Sequence, residues 1–354
     1  MADEPADTTG KPRTDNAPVS PSFRTGTPAP TSRAIWYTGP GVVEIRSGAL
    51  PSVGPGQALV RTAFSGISRG TERLVMNGTI GREEWERMRA PMQEGAFPFP
   101  VKYGYCATGT VEDGPADLRG RTVFCLHPHQ DWFVAPIDML APVPDAVPAR
   151  RATLAANMET ALNAVWDSGA SAGDRIVIVG AGVVGLLLAR LTAALPGASV
   201  TVVDVAADRR SLAEAFGARF ITPNADPATL PRDADVVFHT SVSAAGLNAA
   251  IDCAGMEATI VELSWYGDRD VPARLGGAFH SHRLRLQSSQ VGQISPGRRP
   301  RWNYRRRLET ALALLDDPAL DTLVADEIAF ADAATALPRL LAPGAAGLAP
   351  VIRY

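Results

Sequence analysis

The chain has 354 residues, 46% hydrophobic and 20% charged, with 34 Lys and Arg against 37 Asp and Glu and a formal net charge of −3. That length exceeds one ordinary core and suits two domains, and the balanced charge argues against nucleic-acid binding, which needs excess cation to release counterions. Three cysteines, Cys106, Cys125 and Cys253, are odd in number and far apart, which excludes a disulfide framework and a four-cysteine zinc site and points to a reducing, cytoplasmic setting.

Residues 1–33 carry many prolines among Thr, Ser, Asp and Lys and few large apolar side chains, so they are expected to form a disordered tail. From residue 34, short apolar runs at 34–37, 42–45, 58–64, 107–112, 122–126 and 132–135 predict a strand-rich, barrel-like domain. Charged residues 82–89 predict a short surface helix or lid. Ala, Leu, Met and Glu over 150–166 predict a helix closed by Gly169 and Gly173. Strands at 175–179, 199–203, 236–239 and 259–263 then alternate with helices at 183–195 and 211–216, which is the pattern of βαβ units and a parallel sheet. A helix at 305–315 and short runs at 324–330 and 350–354 complete the chain. The longest apolar run, 176–189, holds glycines and is too short to span a bilayer, and no charged start with an apolar core suggests a secretory signal.

The most specific motif is Arg175-Ile176-Val177-Ile178-Val179-Gly180-Ala181-Gly182-Val183-Val184-Gly185, a strand, then G-x-G-x-x-G, then a helix. Gly180 permits the tight turn, Gly182 lets backbone approach a pyrophosphate, and Gly185 permits close helix–strand packing. The helix start at Val183 offers unpaired N–H groups to phosphate oxygens. Asp204 ends the next strand, where a carboxylate can accept from both hydroxyls of an adenine ribose and would repel a 2′-phosphate, so NAD(H) is expected over NADP(H). Arg209 and Arg210, close behind it, are expected to be exposed charge on the following helix.

Three motifs extend the match. They are Gly66-Ile67-Ser68-Arg69-Gly70-Thr71-Glu72, Tyr103-Gly104-Tyr105-Cys106-Ala107-Thr108-Gly109, and Thr160-Ala161 before the fingerprint. With it they resemble the medium-chain dehydrogenase/reductases, the zinc-alcohol-dehydrogenase-like superfamily, over nearly the whole chain after the tail. The resemblance implies an α/β protein with a GroES-like barrel domain (34–155 and 300–354), an inserted Rossmann domain with a doubly wound parallel sheet (156–299), an active-site cleft between them, and a homodimer or tetramer. Zinc-dependent members place Cys and His–Glu ligands where this chain has Ser68, Tyr105-Cys106 and Ala156, and the four-cysteine structural lobe is missing. A zinc-free branch is therefore expected, and the first motif is similar to that of bacteriochlorophyllide hydroxyethyl dehydrogenases.

Without a metal, charge developing on a substrate oxygen must be met by side chains. Tyr105 or Thr71 is the expected donor, with Ser68 and Glu72 in support. The alternative is that Ser68 and Thr71 satisfy turn backbone while Tyr105 packs a pocket wall. The resemblance further implies cofactor contacts from Arg69, Thr160, Thr240, Ser241, Ser264 and Ser289, with Trp265 and Gln290 beside the last two. Cys125, His127 and His129, with Asp131 next, could share one strand face as metal ligands, but Pro128 interrupts the strand, so surface or hydrogen-bonded histidines are expected. The cluster Arg298, Arg299, Arg301, Arg305, Arg306 and Arg307 reads as a solvated loop entering a helix. Trp132, Trp265, Tyr266 and Met158 could line a pocket for a flat or cyclic alcohol or ketone, or pack the core. The expected activity is NAD(H)-dependent alcohol/ketone oxidoreduction; the rivals are an NADPH-dependent enone reductase and a catalytically silent dinucleotide-binding protein.

Overall fold

The computed structural model describes residues 30–223 and 229–354, so the expected tail, as far as residue 29, lies outside the described residues. Thr31–Arg33, placed in that tail by composition, are instead paired strand: β1 (Thr31–Gly39) runs antiparallel to β2 (Val42–Ala49), with Thr31 opposite Ala49. The next elements are β3 (Gln57–Gly66), α1 (Arg69–Asn77), β4 (Glu94–Gly95), β5 (Val101–Lys102), β6 (Ala107–Asp113), β7 (Thr122–Cys125), β8 (Trp132–Pro136) and β9 (Ala141–Pro142). They build a four-stranded sheet in the order β2-β1-β5-β4 and most of a second, larger sheet. Alternation in β3 turns Ala58, Val60 and Thr62 inward, as expected for a strand with one buried face.

The middle of the chain begins with α2 (Ala149–Ala152) and α3 (Ala155–Ser168), not the single helix expected over 150–166. The break falls at Thr153, whose hydroxyl donates to the Arg150 carbonyl at 2.6 Å. Gly169 ends α3 in the left-handed region. There follow β10 (Arg175–Val179), α4 (Val183–Ala193), β11 (Ser199–Val203), α5 (Arg210–Ala215), β12 (Arg219–Ile221), β13 (Ala234–His239), α6 (Ala244–Cys253), β14 (Ala254–Glu262) and β15 (Arg285–Ser288). Their strands form one six-stranded parallel sheet in the order β12-β11-β10-β13-β14-β15. The near-continuous burial of β10 and β11 is what helices on both faces require.

The chain ends with α7 (Tyr304–Ala313), β16 (Glu327–Ala329), α8 (Ala333–Leu340) and β17 (Val351–Arg353). β17 pairs with β3, so the last strand closes the seven-stranded sheet of the first half. α7 packs on α3, and Leu308, Leu312, Leu320 and Leu323 share a core with Ile178, Leu186 and Val202 of the parallel sheet half.

The expected helix over 82–89 shrinks to one 3-10 turn, Arg82–Glu84, because Trp85 turns in and donates to the Ile80 carbonyl at 3.0 Å. Three helices escape the sequence patterns: α1, α6 and α8. Among the described residues no helix is long and apolar enough to cross a membrane.

Candidate active site

Ser68 stands at the start of α1, and Thr71 lies one turn on. Tyr105 follows β5 in the loop before β6. The helix start and the loop bring the three hydroxyls together: Tyr105 donates to Ser68 Oγ at 2.5 Å and lies 3.3 Å from Thr71 Oγ1. Tyr105 touches both large core clusters, so it stands where the two halves meet. Burial, then the nearby Cys106, pushes its phenol well above the ordinary range, while the bonds to Ser68 and Thr71 pull the other way. At neutral pH it is a neutral donor.

Glu72 is fully buried behind this triangle. Its carboxylate accepts from the Ser68 backbone N–H (2.7 Å), the Tyr37 hydroxyl (2.7 Å) and His129 Nε2 (3.0 Å). His129 Nδ1 lies 2.7 Å from Ser65 Oγ, which lies 2.9 Å from the Tyr354 hydroxyl. Glu72 thereby pins the backbone of the turn that presents Ser68. Cys106 is buried, and burial with the Glu72 charge raises its thiol well above the usual value, so it supplies no thiolate.

The Cys125–His127–His129 series is not a metal face. Neither histidine is on the surface: His127 is stacked on Phe133 at 3.8 Å with Nδ1 2.9 Å from the Pro128 carbonyl, and burial lowers it to about 3. Burial raises Cys125 to about 12. Among the described residues no group of three His, Cys, Asp or Glu is arranged to hold a metal ion.

The second constellation lies at the carboxyl ends of the parallel strands. Gly180 has φ +114°, and a Cβ there would meet Thr240 Oγ1 at 2.6 Å, while one on Gly185 would run into the Gly180 carbonyl. Thr240 donates to that same carbonyl at 3.0 Å, so its hydroxyl locks the turn. Gly182 caps α4 with open space where a Cβ would be, which leaves the helix start and Val183 accessible to a phosphate. Asp204 accepts from Ala181 N at 2.5 Å and Ala206 N at 2.7 Å, one bond to each oxygen. The carboxylate is fixed at the turn with lone pairs left over. Arg209 and Arg210 are not simply exposed charge: one donates to the Gly347 carbonyl, the other to Phe220 while lying over its ring.

Other expected cofactor residues are differently engaged. Arg69 donates to the Ala345, Ala346 and Gly347 carbonyls, which turns its guanidinium toward the chain's own loop. Thr160 bonds back to Ala156 in its helix (2.9 Å), and Ser289 donates to Asp167 (2.7 Å). Gln290 accepts from Gly292 N. Ser264 Oγ accepts from Val242 N at 3.1 Å, while Ser241 lies beside the Gly180 turn.

Two further sequence expectations change. Arg307 is buried, not solvated, and binds Glu159 (2.9 Å), Asn163 (2.7 Å) and the Val291 carbonyl (2.6 Å), tying α7 to α3 and the loop after β15. Arg298 and Arg306 lie over the paired rings of Trp166 and Trp302. Met158 is core, Trp265 packs against the first half, Tyr266 hydrogen-bonds Glu262, and Trp132 lies in β8 opposite Arg61 of β3, so the four expected pocket liners are engaged in separate parts of the fold.

The C-terminal domain family of alanine dehydrogenase/PNT matches residues 160–247. Sorbitol dehydrogenase of Bos taurus is 21% identical over 268 residues, 65% of this chain and 70% of that protein. The 2-desacetyl-2-hydroxyethyl bacteriochlorophyllide A dehydrogenase of Cereibacter sphaeroides is 32% identical over 203 residues, 52% of this chain and 59% of that one. A dehydrogenase from Sinorhizobium meliloti, described as zinc-binding and solved with NADP, superposes with a TM-score of 0.72 at 20% identity, covering 92% of this chain and all (100%) of that one. The chain has the medium-chain dehydrogenase/reductase fold. The GroES-like half carries the hydroxyl triangle, and the Rossmann half carries the glycine turn.

Within this medium-chain fold, sequence reasoning missed His129 as the partner of Glu72, because the two are far apart in the chain and no spacing links them. It also missed His239 and Glu262, which bond each other at 2.7 Å. A signal existed for that pair: each is a polar residue directly after an apolar run, Val236-Val237-Phe238 and Ile260-Val261, at the crevice where ligands bind in such sheets.

Proposed function

We propose that the chain is an NAD(H)-dependent oxidoreductase that interconverts a secondary alcohol and a ketone with hydroxyl groups where zinc-dependent relatives hold their metal. The observation that carries this is the convergence of Tyr105, Ser68 and Thr71. Two of the three stand at positions that resemble the zinc-ligand positions of the superfamily. Catalytic zinc takes three N, S or carboxylate donors; neutral hydroxyls backed by a phenol that holds its proton do not fit that donor set. No step is therefore routed through a metal.

A nicotinamide dinucleotide fits the fingerprint: the open approach at Gly182, the free start of α4 and the carboxylate of Asp204 suit pyrophosphate and ribose. When bound, that cofactor supplies the hydride donor or acceptor. In ketone reduction, Tyr105 or Thr71 donates a hydrogen bond to the carbonyl oxygen and supplies its proton as charge develops there, regaining one from solvent through the other hydroxyls of the triangle. In alcohol oxidation the relay runs in reverse: the same hydroxyl takes the alcohol's proton while it passes its own to its neighbours in the triangle, whose half-exposed Ser68 and Thr71 hand one on to solvent. Ser68 holds the Tyr105 proton in the resting site, and Glu72 fixes Ser68 through its backbone N–H. Relatives named as sorbitol dehydrogenase and as a hydroxyethyl bacteriochlorophyllide dehydrogenase favour a hydroxyl or carbonyl substrate over an enone.

NAD(H) is the preferred form, because Asp204 puts negative charge at the ribose while Arg209 and Arg210 are engaged elsewhere. Asp204→Ala should weaken NADH by about tenfold and leave NADPH unchanged or improved, the scale of one or two hydrogen bonds. Initial rates with both cofactors over a panel of secondary alcohols and ketones check this. A wild-type preference for NADPH with enone reduction would favour the quinone-reductase-like rival, and cofactor binding without any turnover would favour the silent one. The same reading assigns 34–155 and 300–354 to the catalytic half, 156–299 to the cofactor half, and a homo-oligomeric, cytoplasmic enzyme.

A further inference from the structure

His239 ends β13 fully buried, yet both ring nitrogens are engaged. Nδ1 lies 2.7 Å from Glu262 Oε2 and Nε2 lies 2.7 Å from Ser241 Oγ. Glu262 also accepts from Ser264 N at 2.7 Å and from the Tyr266 hydroxyl at 3.2 Å. Burial first, then the Glu262 charge, raises Tyr266 to about 12, so it remains a donor. Ser241 Oγ is 3.0 Å from Ser243 Oγ, which itself accepts from Gly246 N.

One proton order satisfies all of these contacts. In it the Glu262 carboxylate accepts the Nδ1–H of His239, and Nε2 is left as an acceptor. Ser241 must then donate to Nε2, and Ser243, with its oxygen already accepting, donates to Ser241. Ser241 keeps one lone pair and no proton to offer. The array is built around a glycine: a Cβ on Gly246 would strike Ser241 Oγ and lie 2.8 Å from His239 Nε2. Next to it, Val242 is held at φ 54°, a region that costs a β-branched residue strain.

Ser241 sits at the crevice. Its backbone nitrogen is 2.9 Å from where a Gly180 Cβ would be. In the sheet order, β11 with Asp204 lies on one side of β10 and β13 on the other. A dinucleotide whose adenosine ribose meets Asp204 and whose pyrophosphate meets the glycine turn must therefore carry its second ribose over β13. The ring beyond it lies toward β14.

We propose that His239 is a positioning residue that, clamped by Glu262, fixes Ser241 as a hydrogen-bond acceptor for a hydroxyl of the nicotinamide-side ribose. This rests on the NAD(H) reading above. An acceptor-only oxygen suits a sugar hydroxyl and repels phosphate, so it sets the register of the cofactor as well as its affinity.

The test is the binding of NADH, ADP-ribose and AMP to the wild type, Ser241→Ala, His239→Asn and the double variant, with the thermal midpoint of each apo-protein. Asn keeps a donor for Glu262 but is too short to reach Ser241. Both single variants should weaken NADH and ADP-ribose about five- to tenfold, the worth of one neutral hydrogen bond. AMP should be unaffected, and the double variant should be no worse than Ser241→Ala, because both remove the same bond. Ser241→Ala keeps the question decidable even if His239→Asn folds poorly. Unchanged NADH affinity in Ser241→Ala overturns the proposal, as does equal weakening of AMP, or weakening of NADH without ADP-ribose. A wild type that binds no NADH overturns the NAD(H) reading as well, so the two failures are told apart.

Discussion

Tyr105→Phe should lower turnover of a secondary alcohol or ketone by about 100-fold or more while leaving the fold and NADH affinity intact, the usual cost of losing a positioned proton donor or oxyanion partner. The change removes one oxygen. The ring keeps its edge-on contact with Tyr103 at 6.0 Å, and Ser68 and Thr71 face a half-exposed site in which water can replace the lost bond. The pH profile adds a second check. Burial holds the phenol far above its ordinary range, so the proton it donates is present below that raised value and is lost only at strongly alkaline pH. The wild-type rate should therefore show no limb from Tyr105 between about pH 6 and 9. Unchanged turnover in Tyr105→Phe would remove this residue from the chemistry and leave Thr71 as the donor.

Glu72→Leu should cost about 3–5 kcal/mol of stability, because it strips the partner from a fully buried histidine and a buried phenol at once. It also frees the Ser68 N–H, so whatever protein folds should lose activity in step with the Ser68 geometry. Glu72→Gln, which keeps the shape and one acceptor, should be milder in both respects. Thermal melts and chemical denaturation of the two variants measure the difference. A Glu72→Leu protein as stable as the wild type would show that the carboxylate does not hold the turn.

The glycine turn and the alternation of strands and helices were legible in the sequence because each depends on local rules. Gly180 needs a positive φ, Gly185 needs contact with backbone, and β10 and β11 are apolar on both faces because helices cover them. α1 was not legible. Its apolar residues Leu74, Val75 and Met76 are consecutive, and its first turn is held by Glu72, whose other partners lie far away in sequence. Arg307 shows the same limit from the other side: a run of arginines reads as solvated charge until Glu159 and Asn163, from a helix far earlier in the chain, supply its partners. His239 had the right position but no local pattern, since its two partners come from a turn and a neighbouring strand.

The central claim is that hydroxyls, with no bound zinc, support the chemistry. Its most direct test is alcohol and ketone turnover with NAD(H) after prolonged dialysis against a strong chelator, with metal content measured on the same sample. The account predicts less than about 0.1 zinc per chain and an unchanged rate, where a catalytic site would hold about one. Turnover that falls as zinc is stripped and returns as about one zinc per chain is bound again would contradict it, as would about one zinc per chain held through the dialysis with full activity.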